Sequence, residues 1–278
     1  MPLRRRHRKI RQSDPDVTSF DALHAWDYIV YGYLQTGQDI KAKEIVDQVL
    51  GIQRCDRPYL AAAYALAAIP ARYALERRHW SEATTLKLHP ETFPWDRYPW
   101  AEAVTCFAQA IGAARNGDAG LARNGVEKLR VLKQQSVEKK DPYWAGQVEI
   151  SRTAAEAWAC WAEKKNEDAL KLMRSAADQE IATEKHPVTP GSILPMRELL
   201  GELLLELGQP KQALAEFEAS LMSSVNRFNG IYGAARSAEM AGEKQKADSY
   251  YRQLIALCEK ADTARPELEK AKSYIAAK

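Results

Sequence analysis

Residues 199–221 read LLGELLLELGQPKQALAEFEASL, and this stretch decides the fold. Leucines recur at helical spacing, a turn follows at Gly208, and a second apolar stripe begins at Ala213. The turn and the stripe return at Gly242 and Ala247, and both offsets are 34 residues (242 − 208 and 247 − 213). A period of this length predicts a helix–turn–helix unit that buries its apolar face only by stacking on similar units.

The same design extends through the chain when it is followed by the small residue that lets the second helix of a unit pack closely on the first. Successive candidates are separated by 41, 39, 47, 44 and 34 residues, by subtraction of their numbers, so only the last interval is the unmodified period. Pro70 falls in the first helix of the second unit, where we expect a kink or two short helices. The six candidates are Ala42, Ala83, Ala122, Ala169, Ala213 and Ala247.

These units predict an all-α, right-handed solenoid of about six helix–turn–helix pairs. It forms one continuous superhelical domain over residues 21–278, and a last helix from Pro266 to Ala276 closes it as a polar cap. Strand-like alternation is absent. Residues 1–20 are expected to be a disordered basic leader, because their cluster of arginines is not followed by the apolar segment of a secretory signal.

The composition argues against several classes of function. Forty basic and 37 acidic residues leave a net charge of +3, which is too small and too evenly spread to indicate a nucleic-acid or membrane partner. No run of 18 apolar residues is present that could span a bilayer. Four cysteines without CxxC spacing predict reduced thiols packed in helices, and neither a disulfide framework nor a metal cluster. They are Cys55, Cys106, Cys160 and Cys258.

Two proline-containing segments interrupt the helices, at residues 87–100 and 182–195. Both connect the second helix of one unit to the first helix of the next. A regular solenoid places such connections on the same edge, so we expect the two segments to form one neighbourhood.

Four segments together resemble a group of uncharacterised bacterial tetratricopeptide-repeat (TPR) proteins. The resemblance covers residues 21–273, and it implies a TPR-like solenoid with no established activity. Chains of that group are usually longer and often carry an export signal, so this sequence resembles their C-terminal portion. The segments are residues 23–28 (LHAWDY), 93–95 (FPW), 184–191 (EKHPVTPG) and 226–236 (NRFNGIYGAAR).

In TPR arrays the first helix of each unit lines a concave groove, and positions 2, 5, 9, 12 and 13 of the repeat point into it. Arginines and aromatic residues at these positions suit a binding surface. The predicted groove is basic around Arg72 and Arg115 and acidic from Glu198 to Glu206, which suggests a partner carrying both charges. The partner-binding candidates are His24, Asp27, Tyr31, Arg72, Glu76, Arg115, Trp158, Trp161, Glu198, Glu202, Tyr232 and Arg236.

The alternative is a metal-dependent or small-molecule site on the two edge loops. No HExxH, CxxC or GxSxG motif supports it, and each His-Pro pair is more simply a turn whose imidazole caps a backbone carbonyl. The aromatic cluster of the first loop is more simply a clamp that holds the loop to the solenoid, and Arg227 belongs to a helix entry capped by Asn226. The residues of the alternative site are His89, Trp95, Arg97, Glu184 and His186.

The sequence therefore predicts a non-catalytic scaffold or adaptor that binds a protein or peptide in its groove. No catalytic residue, metal or cofactor is expected, and neither a nucleic acid nor a membrane is an expected partner. If a preceding helix is missing, the first pair is expected to form a homodimer through Leu23, Trp26 and Val30. As the chain stands, a cytoplasmic location is expected.

Overall fold

The computed structural model describes residues 17–277, most of which lie in α-helices. The helices form six consecutive pairs, each joined by a short turn, and a single helix follows the last pair. Within residues 17–277, no helix combines the length and the apolar character needed to cross a bilayer. The helices are α1 (Phe20–Gln35), α2 (Asp39–Leu50), α3 (Leu60–Glu76), α4 (Trp80–Thr84), α5 (Pro99–Arg115), α6 (Ala119–Glu138), α7 (Pro142–Ala162), α8 (Asn166–Ile181), α9 (Met196–Glu206), α10 (Pro210–Ser223), α11 (Phe228–Met240), α12 (Lys244–Leu257) and α13 (Pro266–Ala276).

One backbone signature repeats in the turn inside every pair. Gly208 and Gly242 have φ angles of 69° and 78°, in the left-handed region that glycine adopts at little steric cost. The next residue donates its N–H to the carbonyl five positions earlier, as Gln209 does to Leu204 at 2.8 Å, and this bond ends the first helix in a Schellman motif. The residues with positive φ at the six turns are Gly37, Arg78, Gly117, Lys164, Gly208 and Gly242.

The small residues identified in the sequence lie five positions after these turn residues in all six pairs. Each is fully buried, with 0% of its surface exposed. Each also donates its N–H to the residue that precedes the second helix, as Ala213 does to Gln209 at 3.0 Å. The prediction of an all-α, TPR-like array of six helix pairs is therefore confirmed, and the last helix has the predicted bounds Pro266–Ala276.

The second and fourth pairs have no glycine at the turn. Arg78 and Lys164 adopt φ angles of 56° and 65° there, which costs a side-chain-bearing residue conformational energy. The glycine signal in the sequence is therefore interrupted at these two turns, although the backbone geometry is the same. Arg78 makes ion pairs with two carboxylates, Glu202 at 2.9 Å and Glu267 at 3.6 Å, which compensate for its conformation.

The second pair departs most from a regular repeat. Pro70 lies buried inside α3, which runs without a break from residue 60 to 76, so the alternative of two short helices is wrong. The second helix, α4, has only 5 residues. The chain then continues through a non-helical segment with one 3₁₀ turn, Trp95–Arg97, before α5 begins.

A short parallel pairing precedes the first helix. Val17–Thr18 (β1) pairs with Arg54–Cys55 (β2), and the side chain of Ser19 caps the N-terminus of α1. The sequence did not predict this pairing, because strands of two residues are too short to show an alternating pattern. Residues 1–16 of the predicted leader lie outside the described residues, whereas residues 17–20 belong to β1 and to the start of α1.

The two ends of the array contact each other. Asp262, between α12 and α13, accepts the backbone N–H groups of Ile40 at 3.0 Å and Lys41 at 3.2 Å, and so caps the N-terminus of α2. Arg265 forms a buried ion pair with Asp39, with its Nε 2.9 Å from Oδ2. These polar contacts bring the first pair against the last, so that the inner faces of their first helices meet inside the molecule.

Close packing of helices in the last two pairs depends on glycine at the contact. A Cβ added at Gly233 of α11 would lie 2.3 Å from Cε1 of Phe217, and Phe217 is fully buried with Gly201 on another side. We therefore expect Gly233→Ala to lower the free energy of unfolding by about 2 kcal/mol, because the core must be overpacked or displaced. Urea denaturation measures this change.

Gly146→Ala is the matched control, since Gly146 also lies inside a helix but has no atom within 4 Å of an added Cβ. The control is expected to raise the free energy of unfolding by up to about 1 kcal/mol through helix propensity. Equal effects of the two substitutions would contradict the packing argument.

Candidate functional site

A buried ion pair joins the first two helix pairs on the inner face, the side of the array on which the first helices lie. Arg72 of α3 donates from Nε to Oδ1 of Asp27 of α1 at 3.1 Å, and both side chains are almost fully buried. Its Nη2 also lies 3.4 Å from the hydroxyl of Tyr64. The two terminal nitrogens of Arg72 therefore point away from Asp27 and toward other acceptors.

Those acceptors are backbone carbonyls of the loop between α8 and α9, residues 182–195. Nη1 of Arg72 donates to the carbonyl of Ser192 at 2.8 Å, and Nη2 donates to the carbonyl of Gly191 at 2.6 Å. The loop thus lies against the inner face, and an arginine of that face holds two consecutive carbonyls of its main chain.

A second buried cluster joins α3, α9 and α11. Arg227 lies with its Nη2 2.7 Å from Glu76 Oε1 and its Nε 2.6 Å from Glu198 Oε1. Asn229 and Gln35 donate side-chain N–H groups to Glu76 at 3.0 and 3.2 Å. Arg227, which the sequence suggested was part of a capped helix entry, is thus a fully buried bridge between two carboxylates. Arg227 itself, and not Asn226, is the N-cap residue of α11.

We call Asp27, Arg72, Glu76, Glu198 and Arg227 the inner network; it holds three carboxylates and two guanidinium groups. Burial raises the pKa of Glu198 to about 7, with Glu76 adding to the rise and Arg227 opposing it. Burial also raises the pKa of Asp27, although Arg72 opposes the rise. Burial lowers the pKa of Arg227, but its facing carboxylates hold the value well above the usual one. Protonation of one carboxylate would make the network neutral.

The sequence predicted that Asp27, Arg72, Glu76 and Glu198 face an open groove. In the structure they are buried, and they pair with one another, with Arg227 and with the 182–195 loop. The reason is the curvature of the array, which brings the first and last pairs into contact. The mixed charge that suggested a partner of both signs is largely balanced within the chain.

A second group of predicted residues gathers around Arg115. Its guanidinium lies over the rings of Trp158, Trp80 and Trp161, at 4.6, 5.0 and 5.7 Å from their centroids. Its Nη1 is 3.2 Å from Oε1 of Glu206. Such contacts between a cation and aromatic faces stabilise a partly desolvated arginine.

The rest of that group lies beside Arg115. Arg115 Nη1 is 4.0 Å from Glu202, and Arg78 lies over the ring of Tyr232 at 5.7 Å. Arg236 is exposed and lines the same small recess as Glu202 and Tyr232. The structure thus brings together six of the predicted residues, Arg115, Trp158, Trp161, Glu202, Tyr232 and Arg236.

The largest cavity lies on the inner face between the 182–195 loop and helices α5 and α7. Its volume is about 810 Å³, within the range of roughly 300–1,000 Å³ typical of ligand sites. Trp100 and Trp144 stack at 4.2 Å with their planes 13° apart and form part of its wall. We call it the aromatic cavity, after the ring-bearing residues that line it, which are Tyr31, Tyr64, Trp100, Phe107, Tyr143 and Trp144.

A few polar groups also line the aromatic cavity. Ser220 is 1% exposed, and its hydroxyl has no hydrogen-bond partner among the residues that the structure describes. Glu180 accepts from the hydroxyl of Ser192 at 2.7 Å and from the N–H of Met196 at 2.7 Å. Two apolar side chains of the lining, Ile181 and Val225, are 57% and 67% exposed. The cavity therefore combines aromatic walls, exposed apolar residues and an unused hydroxyl.

The first edge loop has the structural role that its sequence favoured. The ring nitrogen Nε2 of His89 lies 2.7 Å from the carbonyl of Ile52, so this imidazole caps a backbone carbonyl as predicted. Trp95 is buried and donates to the carbonyl of Pro90 at 3.0 Å. Arg97 is exposed.

The second edge loop places its histidine differently. His186 accepts the backbone N–H of Val188 at its own Nδ1, 3.1 Å away, so the predicted carbonyl cap is wrong for this residue. Its ring lies 5.2 Å from that of Trp144, and the carbonyl of Glu184 accepts from the hydroxyl of Tyr143 at 3.2 Å. No group of three His, Cys, Asp or Glu side chains suited to a metal ion occurs in residues 17–277.

The proposed dimer face is not accessible. Leu23 and Val30 of α1 are fully buried within the chain, and only Trp26 is partly exposed. His24 lies edge-on to the ring of Tyr28 at 5.2 Å. Tyr31, the remaining groove candidate, lines the aromatic cavity.

Several residues of the cavity were missed in the sequence. Trp100 and Tyr64 were noticed as a loop aromatic and as the start of a repeat, while Phe107, Tyr143, Trp144 and Ser220 were not considered. A local signal existed for Tyr143 and Trp144, because two aromatic residues at the start of a helix, after Asp141 and a proline, are unusual for an exposed turn. Nothing local pointed to Ser220.

The comparisons with known proteins add little to this description. No family model matches the chain, and no curated protein matches it. Among solved structures, one described as a Podosopora anserina putative kinesin light chain with nearly identical TPR-like repeats is 17% identical, over 91% of this chain and 100% of that chain. The TM-score is 0.39, so the fold assignment rests on the six repeated turns.

Proposed function

We propose that the chain is a non-catalytic scaffold that binds an extended peptide segment of a partner protein at the aromatic cavity. Helical-repeat arrays generally serve as protein-interaction surfaces, and this fold is of that kind. One observation carries the proposal to this site: the inner face already holds an extended segment of its own chain, with Arg72 donating to the carbonyls of Gly191 and Ser192. Side chains that hold the main chain of a loop can hold the main chain of a peptide.

The cavity beside that loop supplies what a peptide side chain needs. Its walls are aromatic and its edge includes the exposed apolar residues Ile181 and Val225. A bulky apolar side chain entering it would be removed from water on several sides, while the unpartnered hydroxyl of Ser220 can bond a polar group. No described cluster of titratable groups combines with it into a catalytic arrangement, so we propose binding without chemistry.

The test is to fill the cavity. Ala219 of α10 lines it and is partly exposed, so Ala219→Trp adds a large side chain without removing a packed one. Peptides selected from a random displayed library on the wild-type protein are expected to bind the variant at least about tenfold more weakly, a loss of about 1.4 kcal/mol. Isothermal titration calorimetry measures both affinities.

Ala256→Trp is the control, because Ala256 is an exposed alanine on α12 that does not line the cavity. It is expected to leave the affinity unchanged. A selection that yields no binding peptide, or peptides that bind Ala219→Trp as tightly as the wild type, would rule out the aromatic cavity as the site.

A further inference from the structure

We infer that residues 184–192 are an internal ligand of the inner face, and that the external partner is an extended, proline-containing peptide that takes their place. This inference rests on the proposed function and goes further, because it names the class of peptide and a competitor built into the chain. It is carried by the contacts of the 182–195 loop, by its composition and by the space left beside it.

The loop is long for a connection inside a helical repeat. It occupies all the positions between Ile181 and Met196 and contains no helix or strand. Connections between helices are typically 2–8 residues long, and longer ones without secondary structure are commonly functional. The inner turns of the six pairs need only two or three residues, so nothing in the repeat itself requires this length.

Side chains of the array hold the loop mainly by its carbonyl groups. Tyr28 donates its hydroxyl to the carbonyl of Pro187 at 3.0 Å, and Tyr143 donates to that of Glu184 at 3.2 Å. With the two bonds from Arg72, four carbonyls of the loop are held by donors that belong to α1, α3 and α7. The surface therefore reads an extended main chain and largely ignores its side chains.

Such a surface suits prolines. Pro187 and Pro190 have no N–H to satisfy, and the ring favours the extended conformation in which carbonyls point outward. The N–H of Val188 is satisfied within the loop, by His186. A partner segment with prolines at similar spacing would meet the same donors without leaving its own donors buried and unpaired.

The loop leaves the adjoining cavity largely to other residues. The side chains of Glu184, Lys185 and Pro187 are exposed, and only Thr189 of residues 184–192 is buried. A peptide that makes the same carbonyl contacts and also places a bulky apolar side chain in the aromatic cavity gains burial that the loop lacks. That difference allows it to compete with a segment that has the advantage of covalent attachment.

Competition of this kind lowers the apparent affinity by the fraction of molecules in which the loop is released. A change confined to the loop should therefore tighten binding of an external peptide. Pro187→Gly with Pro190→Gly makes the released loop more flexible and leaves every donor of the array in place, so we expect affinity to rise on the order of tenfold. A second variant replaces residues 184–190 by a Gly-Ser linker of equal length.

The probe is a fluorescein-labelled synthetic peptide with the sequence of residues 183–192, TEKHPVTPGS, measured by fluorescence polarisation. We expect it to bind the linker variant, to bind the double glycine variant more tightly than the wild type, and to lose affinity when both its prolines are alanine. Pro94→Gly, in the other proline-containing loop, is the control and should behave as the wild type. Circular dichroism establishes that each variant is folded, and the double glycine variant carries the test if the linker variant is not.

Failure of this inference is distinguishable from failure of the proposed function. If library-selected peptides bind the wild type and the loop variants with equal affinity, and the loop peptide binds none of them, the inference is wrong and the proposed function stands. If neither the selected peptides nor the loop peptide bind any of the proteins, both are wrong.

Discussion

Methionine in place of Arg227 is expected to lower the free energy of unfolding by about 3–5 kcal/mol, the usual cost of leaving a buried charge without its partner. Arg227 is 1% exposed, and it is the cation that faces both Glu76 and Glu198. Methionine fills much of the same volume, so the loss reports the uncompensated carboxylates more than a cavity. Urea denaturation at pH 8, where Glu198 is ionised, measures the effect.

Charge removal on the facing side is the internal control for this prediction. Adding Glu198→Gln to the methionine variant should recover part of the lost stability, because one of the two unpaired charges is gone. Arg130→Met should change stability little, since Arg130 and its partner Glu127 are both 63% exposed. A loss in Arg227→Met no larger than that in Arg130→Met would show that the inner network does not hold the array together.

The second large effect is a pH dependence of stability centred on Glu198. Its pKa is raised by burial from the ordinary value of 4.5 to about 7. The native state therefore binds this proton more tightly than the unfolded state. The stabilising contribution is fully present below pH 4.5, is lost as the pH rises through about 7, and does not change further above that value.

A shift of one pKa unit corresponds to about 1.4 kcal/mol, so the raised pKa of Glu198 amounts to a difference of roughly 3 kcal/mol between pH 4.5 and pH 8. Glu198→Gln mimics the protonated form and should remove this fall. Stability measured by urea denaturation at several pH values is therefore expected to decline for the wild type over that range, and to decline less for the variant. Glu218→Gln, a partly exposed carboxylate paired with Lys246, should keep the wild-type slope.

Parallel pH profiles for the wild type and Glu198→Gln would contradict the assignment, whatever the absolute stabilities. The comparison is informative because the inner network has one more carboxylate than guanidinium group. Taking up one proton makes it neutral, and Glu198 is the member whose pKa lies near the physiological range. The contact between α9 and α11 is where this titration acts.

Much of the architecture could be predicted from the sequence because it depends on local chemistry. The turn at Gly208, the apolar stripes on either side and the buried Ala213 lie within a few residues of one another. Their repetition at Gly242 and Ala247 shows the period directly. Where the local signal was weaker, the cause is specific: Arg78 and Lys164 adopt the conformation that glycine adopts elsewhere.

The candidate site was predicted less well, and the reason lies in long-range geometry. Repeat positions assigned Arg72, Glu76 and Glu198 to the inner face, and the structure has them in the interior. Whether that face is an open groove depends on small rotations between neighbouring pairs, which add up along the array and have no signature in any one segment. The bond from Phe228 to Gln35 joins residues 193 positions apart, and the pair of Arg265 and Asp39 spans 226.

The sequence by itself therefore determined the elements of this protein: six helix pairs, their turns, their buried alanines and the face on which its charged residues lie. Only the tertiary structure decided that the ends meet, that the charges pair with one another and that the 182–195 loop lies along the inner face beside an aromatic cavity. The physical reason is that helix pairing is set by neighbours in the chain. Closure is set by the accumulated curvature of six pairs and by ion pairs whose partners come together only after folding.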